Sequence, residues 1–293
     1  MIVILNPFAR SGKAATFVKS LRAATGNLKI APTTDERNAT LLAREAVESG
    51  SKVVIAAGGD GTMNEVLNGI VGTGAILGVL PLGTVNVLAR QLGIPLDIRR
   101  AWNVIERGHT QILDLIRVDF NFNEKPQARY AIQLAGVGLD AKIIKQVAWK
   151  SKKQWGPLSY VFEALRSIPK KMSSVTVRID QETPVEGSFL LMGNGSFYGG
   201  PIPVFNKASM TDGLLDLCLF QSSNLLNILV YLQAVLRGVQ SETKGILYRQ
   251  FKTLEVTSHS EVPIEVDGEF AGHLPVKVSV VPGALKILVP QDS

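Results

Sequence analysis

Residues 53–70 read VVIAAGGDGTMNEVLNGI. The opening run is apolar, β-branched and of strand length, the pattern of a strand covered on both faces. From Thr62 the apolar residues recur at spacings of three and four, the pattern of a helix. Between the two lie Gly58-Gly59-Asp60-Gly61-Thr62, three of the five without a side chain. A buried strand turning into a helix through such a corner demands an α/β layer. The corner can also take backbone conformations closed to other residues while its N–H groups converge on one point. A phosphate suits that point, and a helix beginning at Thr62 adds the positive end of its dipole. Thr62-Met63-Asn64-Glu65 equally satisfies the S/T-x-x-E capping box, so Thr62 and Glu65 read either as a cap or as ligand contacts. Asp60 is harder to explain as scaffold. A carboxylate beside a phosphate is repelled unless a divalent cation or an acidic proton intervenes, which points to Mg²⁺ binding or to acceptance of a hydroxyl proton.

The flanking sequence extends this pattern. Apolar runs at 2–6, 29–32, 52–59 and 75–81 alternate with helical stretches at 12–25 and 37–50, the latter stopping at Gly50. This predicts a three-layer α/β domain over 1–125. From about Gln111 strand candidates that alternate apolar and polar residues dominate: QILDLIRVDF, YAIQLAGVG, SVTVRID, GSFLLMGNG, LLDLCLFQ, KTLEVTS, PIEVDGE and VKVSVVPG. They predict a second, mostly antiparallel β domain over 126–283, interrupted by helices near 139–148, 157–168 and 224–237. The final run, 284–290, ends that domain or returns to the first.

Two more glycine-bearing loops end neighbouring strands. NPFARSGK follows the first, where Asn6, Ser11, Gly12 and Lys13 offer donors to a nucleotide; PLGTVNVLAR follows the fourth, with Gly83, Thr84 and Asn86 ahead of another helix. In an open parallel sheet such loops gather at the carboxyl ends of the strands, where ligands bind. Neither is a Walker A loop or a G-x-G-x-x-G fingerprint.

Composition narrows the alternatives. With 293 residues, 46% of them hydrophobic, two cores are within reach. Cys218 is the single cysteine and sits in an apolar run, so intrachain disulfides are excluded and a buried thiol is expected. The opening MIVILNP reads as a first strand rather than a secretion signal, and the greasiest segment, from Leu225, is too short for a bilayer of about 30 Å, so a cytoplasmic location is expected. Net charge is +6, and Lys145, Lys150, Lys152, Lys153, Arg166, Lys170 and Lys171 fall in one stretch opposed by Glu163. That stretch is a solvated face, a docking site for an anionic membrane, or a contact for nucleotide phosphates. No nucleic-acid-binding signature accompanies it.

Taken together, NPFARSGKA, AAGGDGTMNEVLNGI, GVLPLGTVNVLARQLGIP and the late VDGE at 266–269 resemble the diacylglycerol kinase catalytic domain of bacterial lipid kinases and sphingosine kinases. The match spans nearly the whole chain in order, and the G-G-D-G-T element is shared with NAD kinases and 6-phosphofructokinases. The resemblance implies a nucleotide-binding α/β domain and a β-sandwich-like domain with the active site between them, residues 284–293 returning to the first. It places ATP against Asn6, Pro7 and the loop to Gly12, with Lys13, and against Thr33 or Thr34, Gly58 to Glu65 with Asn64, and Gly83, Thr84 and Asn86. It makes Glu269 the proton acceptor, with Asp267 the nearby alternative. KASMTDGLLDL is similar to the family's structural magnesium loop, giving Asp212, Leu214 and Ser209 as ligands; an Asp-Gly hairpin turn is the competing reading. Asp114 occupies a position resembling a family aspartate. One departure is Val87, where many relatives carry an aspartate.

The expected activity is transfer of the γ-phosphoryl group of ATP, with Mg²⁺, to a hydroxyl of a diacylglycerol-like or other hydroxylated lipid. The protein would visit the membrane surface through its basic segment, with Trp149 and Trp155 either at the headgroups or in the core, and a homodimer is compatible with the sequence. Phosphorylation of a soluble acceptor such as NAD and non-catalytic binding of nucleotide or lipid are the rival readings.

Overall fold

The computed structural model describes residues 1–9, 28–122, 125–139, 173–200 and 202–291. By its internal contacts the chain forms two units: Met1–Leu115 with Gly199–Pro201 and Pro282–Ser293, and Ile116–Tyr198 with Ile202–Val281.

In the first unit, strands β1 (Ile2–Leu5), β2 (Lys29–Pro32), β3 (Val53–Gly58) and β4 (Ile76–Pro81) lie parallel in the order β2-β1-β3-β4. The order reverses between β1 and β3, which creates a topological switch point at their carboxyl ends. Ile4, Ile55, Leu77 and Leu80 are completely buried, as two-sided coverage of such a sheet requires. Helix α1 (Ala39–Glu48) is capped by Asn38, whose side chain accepts from Leu41 N, and ends ahead of Gly50 at φ +85°. Helix α2 (Asp60–Ile70) lies directly against α1, close enough that a Cβ at Gly69 would overlap Ala43 and the Thr40 carbonyl. Helix α3 (Val87–Gln91) follows β4, and α4 (Ile98–Arg107) is delimited by the Asp97 cap and by Gly108 in the left-handed region. Near the end of the chain Lys286 and Ile287 pair in parallel with Ile76 and Leu77.

The second unit is a β-sandwich. The division between units falls inside β5 (Thr110–Phe122), which pairs antiparallel with β6 (Lys125–Ala131). Then come β7 (Leu134–Val137), β8 (Val175–Ile179), β9 (Val185–Gly187), β10 (Phe189–Gly193), the short pair β11 (Phe197–Tyr198) and β12 (Ile202–Pro203), and β13 (Leu215–Phe220). Helix α5 (Leu225–Arg237) precedes β14 (Ile246–Phe251), β15 (Thr253–Thr257), β16 (Pro263–Val266), β17 (Glu269–His273) and β18 (Val276–Leu288). One antiparallel sheet runs β14-β13-β10-β7-β16-β17; on the other side β15 pairs with β8 and with residues 276–279 of β18.

Side-chain alternation builds the core. Val175, Val177, Leu254, Val256 and Val278 from one sheet meet Val137, Leu190, Leu217, Leu219 and Ile264 from the other. The run LDLCLF of β13 is apolar at nearly every position because both of its faces are covered: Leu215, Leu217 and Leu219 enter the sandwich, while Cys218 and Phe220 lie under Ile228, Tyr231 and Val235 of α5. Cys218 is thus a packing residue, and burial pushes its thiol pKa upward, away from nucleophile chemistry. The opposite face of α5 leaves Leu226, Leu229, Val230 and Leu236 exposed. No helix among the described residues is long and apolar enough to cross a membrane.

One local expectation changes, one helix is new, and two expected helices are not described. The run YAIQLAGVG is not one strand: β6 stops at Ala131 and β7 starts at Leu134, because a carboxylate takes the intervening N–H groups. Helix α4 escaped the pattern reading, although its Asp97 and Gly108 are the cap signals that delimit it. The helices expected near 139–148 and 157–168 fall, apart from Leu139, outside the described residues.

Candidate functional site

The carboxyl ends of β1 to β4 bring Asn6, Thr33, Gly58 to Asp60 and Gly83 onto one edge of the first unit. Asn6 N donates to Ala57 O at 2.9 Å and Thr33 N to Leu5 O at 2.8 Å, fixing the three strand ends in step. Asn6 Nδ2 then reaches Thr62 Oγ1 at 3.2 Å, and its Oδ1 accepts from Phe8 N at 3.0 Å. Pro7 is half-buried beside it.

Helix α2 begins at Asp60, two residues before the expected start, with Gly59 as its N-cap. Thr62 is therefore inside the first turn, and the Thr62 to Glu65 capping box does not form. Glu65 Oε2 accepts from Ala39 N at 2.9 Å, stabilising the start of the neighbouring helix α1, and Glu65 O accepts from Thr40 Oγ1. Asn64 is buried and accepts from Asn68 Nδ2 at 3.0 Å.

Gly58 in the corner and Gly83 in the neighbouring loop have reasons inside the protein. A Cβ on Gly58 would collide with the Thr62 side chain, and a Cβ on Gly83 would lie 2.6 Å from the Gly59 Cα, so the β3 and β4 loops meet backbone to backbone. Asn86 locks this contact. It is buried at φ +53°, its Oδ1 accepts from Gly83 N at 2.9 Å and its Nδ2 donates to Gly83 O at 2.8 Å. Its amide is thereby committed to shaping the loop, while Thr84 projects into solvent. The first amides of an eleven-residue helix have no intrahelical acceptor, so the Gly61 and Thr62 region retains the donors that a phosphate takes.

Asp60 points at the start of α3, its Oδ1 accepting from Leu88 N at 3.3 Å. Burial raises its pKa above the ordinary 3.8, and the main-chain amides of Leu88, Val87 and Asn86 oppose that rise. Asp114 is buried rather than a solvent-facing strand edge; its Oδ1 accepts from Gly283 N at 2.8 Å.

In the second unit, Asp267 and Gly268 form the tight turn between β16 and β17, both at positive φ. The Asp267 carboxylate accepts from Ile132 N at 2.8 Å, Gln133 N at 3.1 Å and Leu134 N at 2.9 Å. Glu269, two residues on, is more open: its side chain is 44% exposed and lies 3.7 Å from Arg129 Nη1. Geometry thus separates the two carboxylates, one tied to the main chain and one facing outward.

The Asp212 loop is exposed. Asp212 Oδ1 accepts from Leu214 N at 3.0 Å and Ser209 Oγ lies 3.3 Å from Thr211 Oγ1, ahead of Gly213 at φ +73° and strand β13. Behind it Asp216 is buried and accepts from Tyr248 OH at 2.6 Å. Among the described residues no group of three His, Cys, Asp or Glu side chains could hold a metal. The oxygen donors of this loop, a carboxylate with hydroxyls and carbonyls, fit a hard divalent cation in kind. Ser11, Gly12 and Lys13, the basic stretch and both Trp149 and Trp155 lie outside the described residues.

An α/β unit with three glycine-bearing loops at the carboxyl ends of its parallel strands is followed in the chain by a β-sandwich. Residues 1–118 match the diacylglycerol kinase catalytic domain, and residues 133–289 match the YegS C-terminal NAD kinase beta sandwich-like domain. Diacylglycerol kinases of Staphylococcus carnosus and Staphylococcus epidermidis are 31% and 32% identical over 260 residues, covering 87% of this chain and 82% and 79% of theirs. The chain belongs to the diacylglycerol kinase family. In fold it is similar to a diacylglycerol kinase of Bacillus anthracis str. Sterne (TM-score 0.74, 23% identity, 99% of this chain and 97% of that one). It is also similar in fold to yeast NADH kinase complexed with NADH (TM-score 0.55, 11% identity, 100% and 75%).

Proposed function

We propose that this protein transfers the γ-phosphoryl group of ATP to a hydroxyl of a diacylglycerol-like lipid. The observation that carries the proposal is the joint built by Asn6, Gly58, Gly59, Gly83 and Asn86. It brings two strand-end loops into backbone contact and leaves helix-start amides for phosphate oxygens. In this reading Pro7, Thr33, Gly61, Thr62 and Thr84 border the nucleotide, while Asn64, Glu65 and Asn86 hold the border in place. Asp60 would hold the magnesium that accompanies the phosphates, and that ion would supply charge neutralisation there.

Glu269 is the base. As the lipid oxygen forms its bond to the γ-phosphorus, the hydroxyl proton passes to the Glu269 carboxylate, the bond from phosphorus to the bridging oxygen breaks, and ADP leaves with that electron pair. The three N–H groups on Asp267 favour Glu269 over it for this role. Asp212, with Ser209 and Leu214 oxygens, would hold a structural cation. The acceptor is met at a membrane surface, in keeping with the +6 net charge and the lipid class.

The test is an ATP-Mg²⁺ phosphorylation screen over diacylglycerol, phosphatidylglycerol, sphingoid bases and NAD, with Asp60→Ala beside the wild type. A labelled lipid lost in the variant is the expected result. Labelled NAD with no labelled lipid, or nucleotide binding without any turnover, overturns the proposal.

A further inference from the structure

Gln133 stands in the break between β6 and β7, and its environment is unusual for an amide. Its residue is 5% exposed, and among the described residues neither its Nε2 nor its Oε1 has a hydrogen-bond partner. A buried carboxamide without a protein partner is costly, so such a group calls for a role or for a ligand or water that completes it. The main chain nevertheless holds this one in place with care. Its N donates to Asp267 Oδ1, its O accepts from Asn194 N at 2.8 Å and from Gly195 N at 3.3 Å. Residue 195 is glycine, and a Cβ there would overlap Gln133 Oε1. The fold thus gives up a side chain to make room for an unbonded amide.

The same turn that anchors Gln133 presents Glu269 two residues beyond Asp267. We propose that the Gln133 carboxamide recognises the polar head of the lipid acceptor, its Nε2 donating to an ester carbonyl beside the hydroxyl to be phosphorylated. A diacylglycerol carries such a carbonyl next to its one hydroxyl, so an amide N–H can hold the ester while the hydroxyl proton is left for Glu269. Because the amide is buried, contact with it requires the Asn194-Gly195 turn packed against it to move; Gly195 N holds Gln133 O at 3.3 Å, more loosely than Asn194 N at 2.8 Å. This inference rests on the lipid-kinase proposal and deepens it, assigning acceptor recognition to a group outside the nucleotide loops.

The experiment compares wild type, Gln133→Leu and Gln133→Asn in ATP-Mg²⁺ turnover of dioctanoylglycerol and of the matching dialkyl ether, which lacks the ester carbonyls. ATP KM and the thermal midpoint are measured on each protein. Gln133→Leu is expected to lower kcat/KM for the ester about tenfold or more while leaving ATP KM within about twofold, because a site built to hydrogen-bond a ligand loses that discrimination with the group. Its thermal midpoint holds or rises, since an unbonded amide is replaced by an apolar side chain of similar size. Gln133→Asn, too short to reach, loses the ester preference in the same way and covers the case in which the leucine variant fails to fold. The wild type prefers ester to ether; both variants lose that preference. An unchanged ester preference in a folded variant overturns the inference and leaves the kinase proposal standing. A wild type that phosphorylates no glyceride overturns both.

Discussion

Asp267 and Glu269 sit two residues apart in one hairpin, and substituting them separates a structural carboxylate from a chemical one. Removing the Asp267 carboxylate leaves Ile132, Gln133 and Leu134 without the acceptor that now lies 2.8, 3.1 and 2.9 Å from their nitrogens. A hydrogen bond to a charged group is worth about 1.5–3 kcal/mol net, so three independent ones would total about 4.5–9 kcal/mol. They share two oxygens and serve three consecutive residues, and the site is only partly buried, so water recovers a share and the expected loss for Asp267→Ala is about 3–5 kcal/mol. Backbone strain adds about 1 kcal/mol, because Asp267 lies at φ +47° and alanine is disfavoured there. Asp267→Gly removes the same bonds without the strain and should be less damaging by that amount.

Asp267→Asn keeps one acceptor oxygen but turns an NH₂ group toward an N–H, and should fall between the two extremes. Glu269→Gln, by contrast, should leave stability within about 0.5 kcal/mol, as a surface substitution does, and lower kcat about 10²–10⁴-fold, as loss of a general base does. Urea denaturation followed by far-ultraviolet circular dichroism measures the first series and steady-state kinetics the second. An Asp267→Ala protein destabilised by less than about 1 kcal/mol would refute the staple reasoning. A catalytically normal Glu269→Gln would refute the assignment of the base.

Asp60 carries a folded-state pKa raised by burial, so its charge opposes folding above that raised value, and the penalty disappears below the ordinary 3.8. Asp60→Asn should therefore be more stable than wild type at neutral pH, by a margin that shrinks as the pH falls toward 3.8, while turnover is lost; a variant that is inactive and also less stable at neutral pH would contradict this account. Asn86→Ala removes both hydrogen bonds to Gly83 and places alanine at φ +53°, so it should cost about 2–3 kcal/mol and weaken nucleotide binding, whereas Asn86→Gly should recover about 1 kcal/mol of the loss without restoring affinity. Isothermal titration with ATP-Mg²⁺ beside thermal melts checks both halves. Gly58→Ala forces Thr62 out of its place over the corner, and Gly58→Ala combined with Thr62→Ser, which removes one clashing methyl, should be less destabilised than Gly58→Ala alone.

What the sequence carried by itself is what local spacing encodes. The apolar runs of β1, β3 and β4, the three-and-four spacing of α1 and α2, and the alternation along β8 and β15 record how many faces of each element are covered, so fold class and the glycine loops were legible from single stretches. A cap read from spacing alone was less secure: Thr62 and Glu65 satisfy the capping-box pattern, yet Glu65 serves Ala39, twenty-six residues away. Partners so distant in sequence leave no local signature. Only tertiary structure decided that Asn86 spends its amide on Gly83, that Asp267 staples a strand break more than a hundred residues earlier, and that residues 276–279 and 286–287 of one strand pair with different neighbours. A hydrogen bond requires only that two groups meet at about 3 Å with the right direction, and which groups meet is settled by the packing of whole elements, after local propensity has done its part.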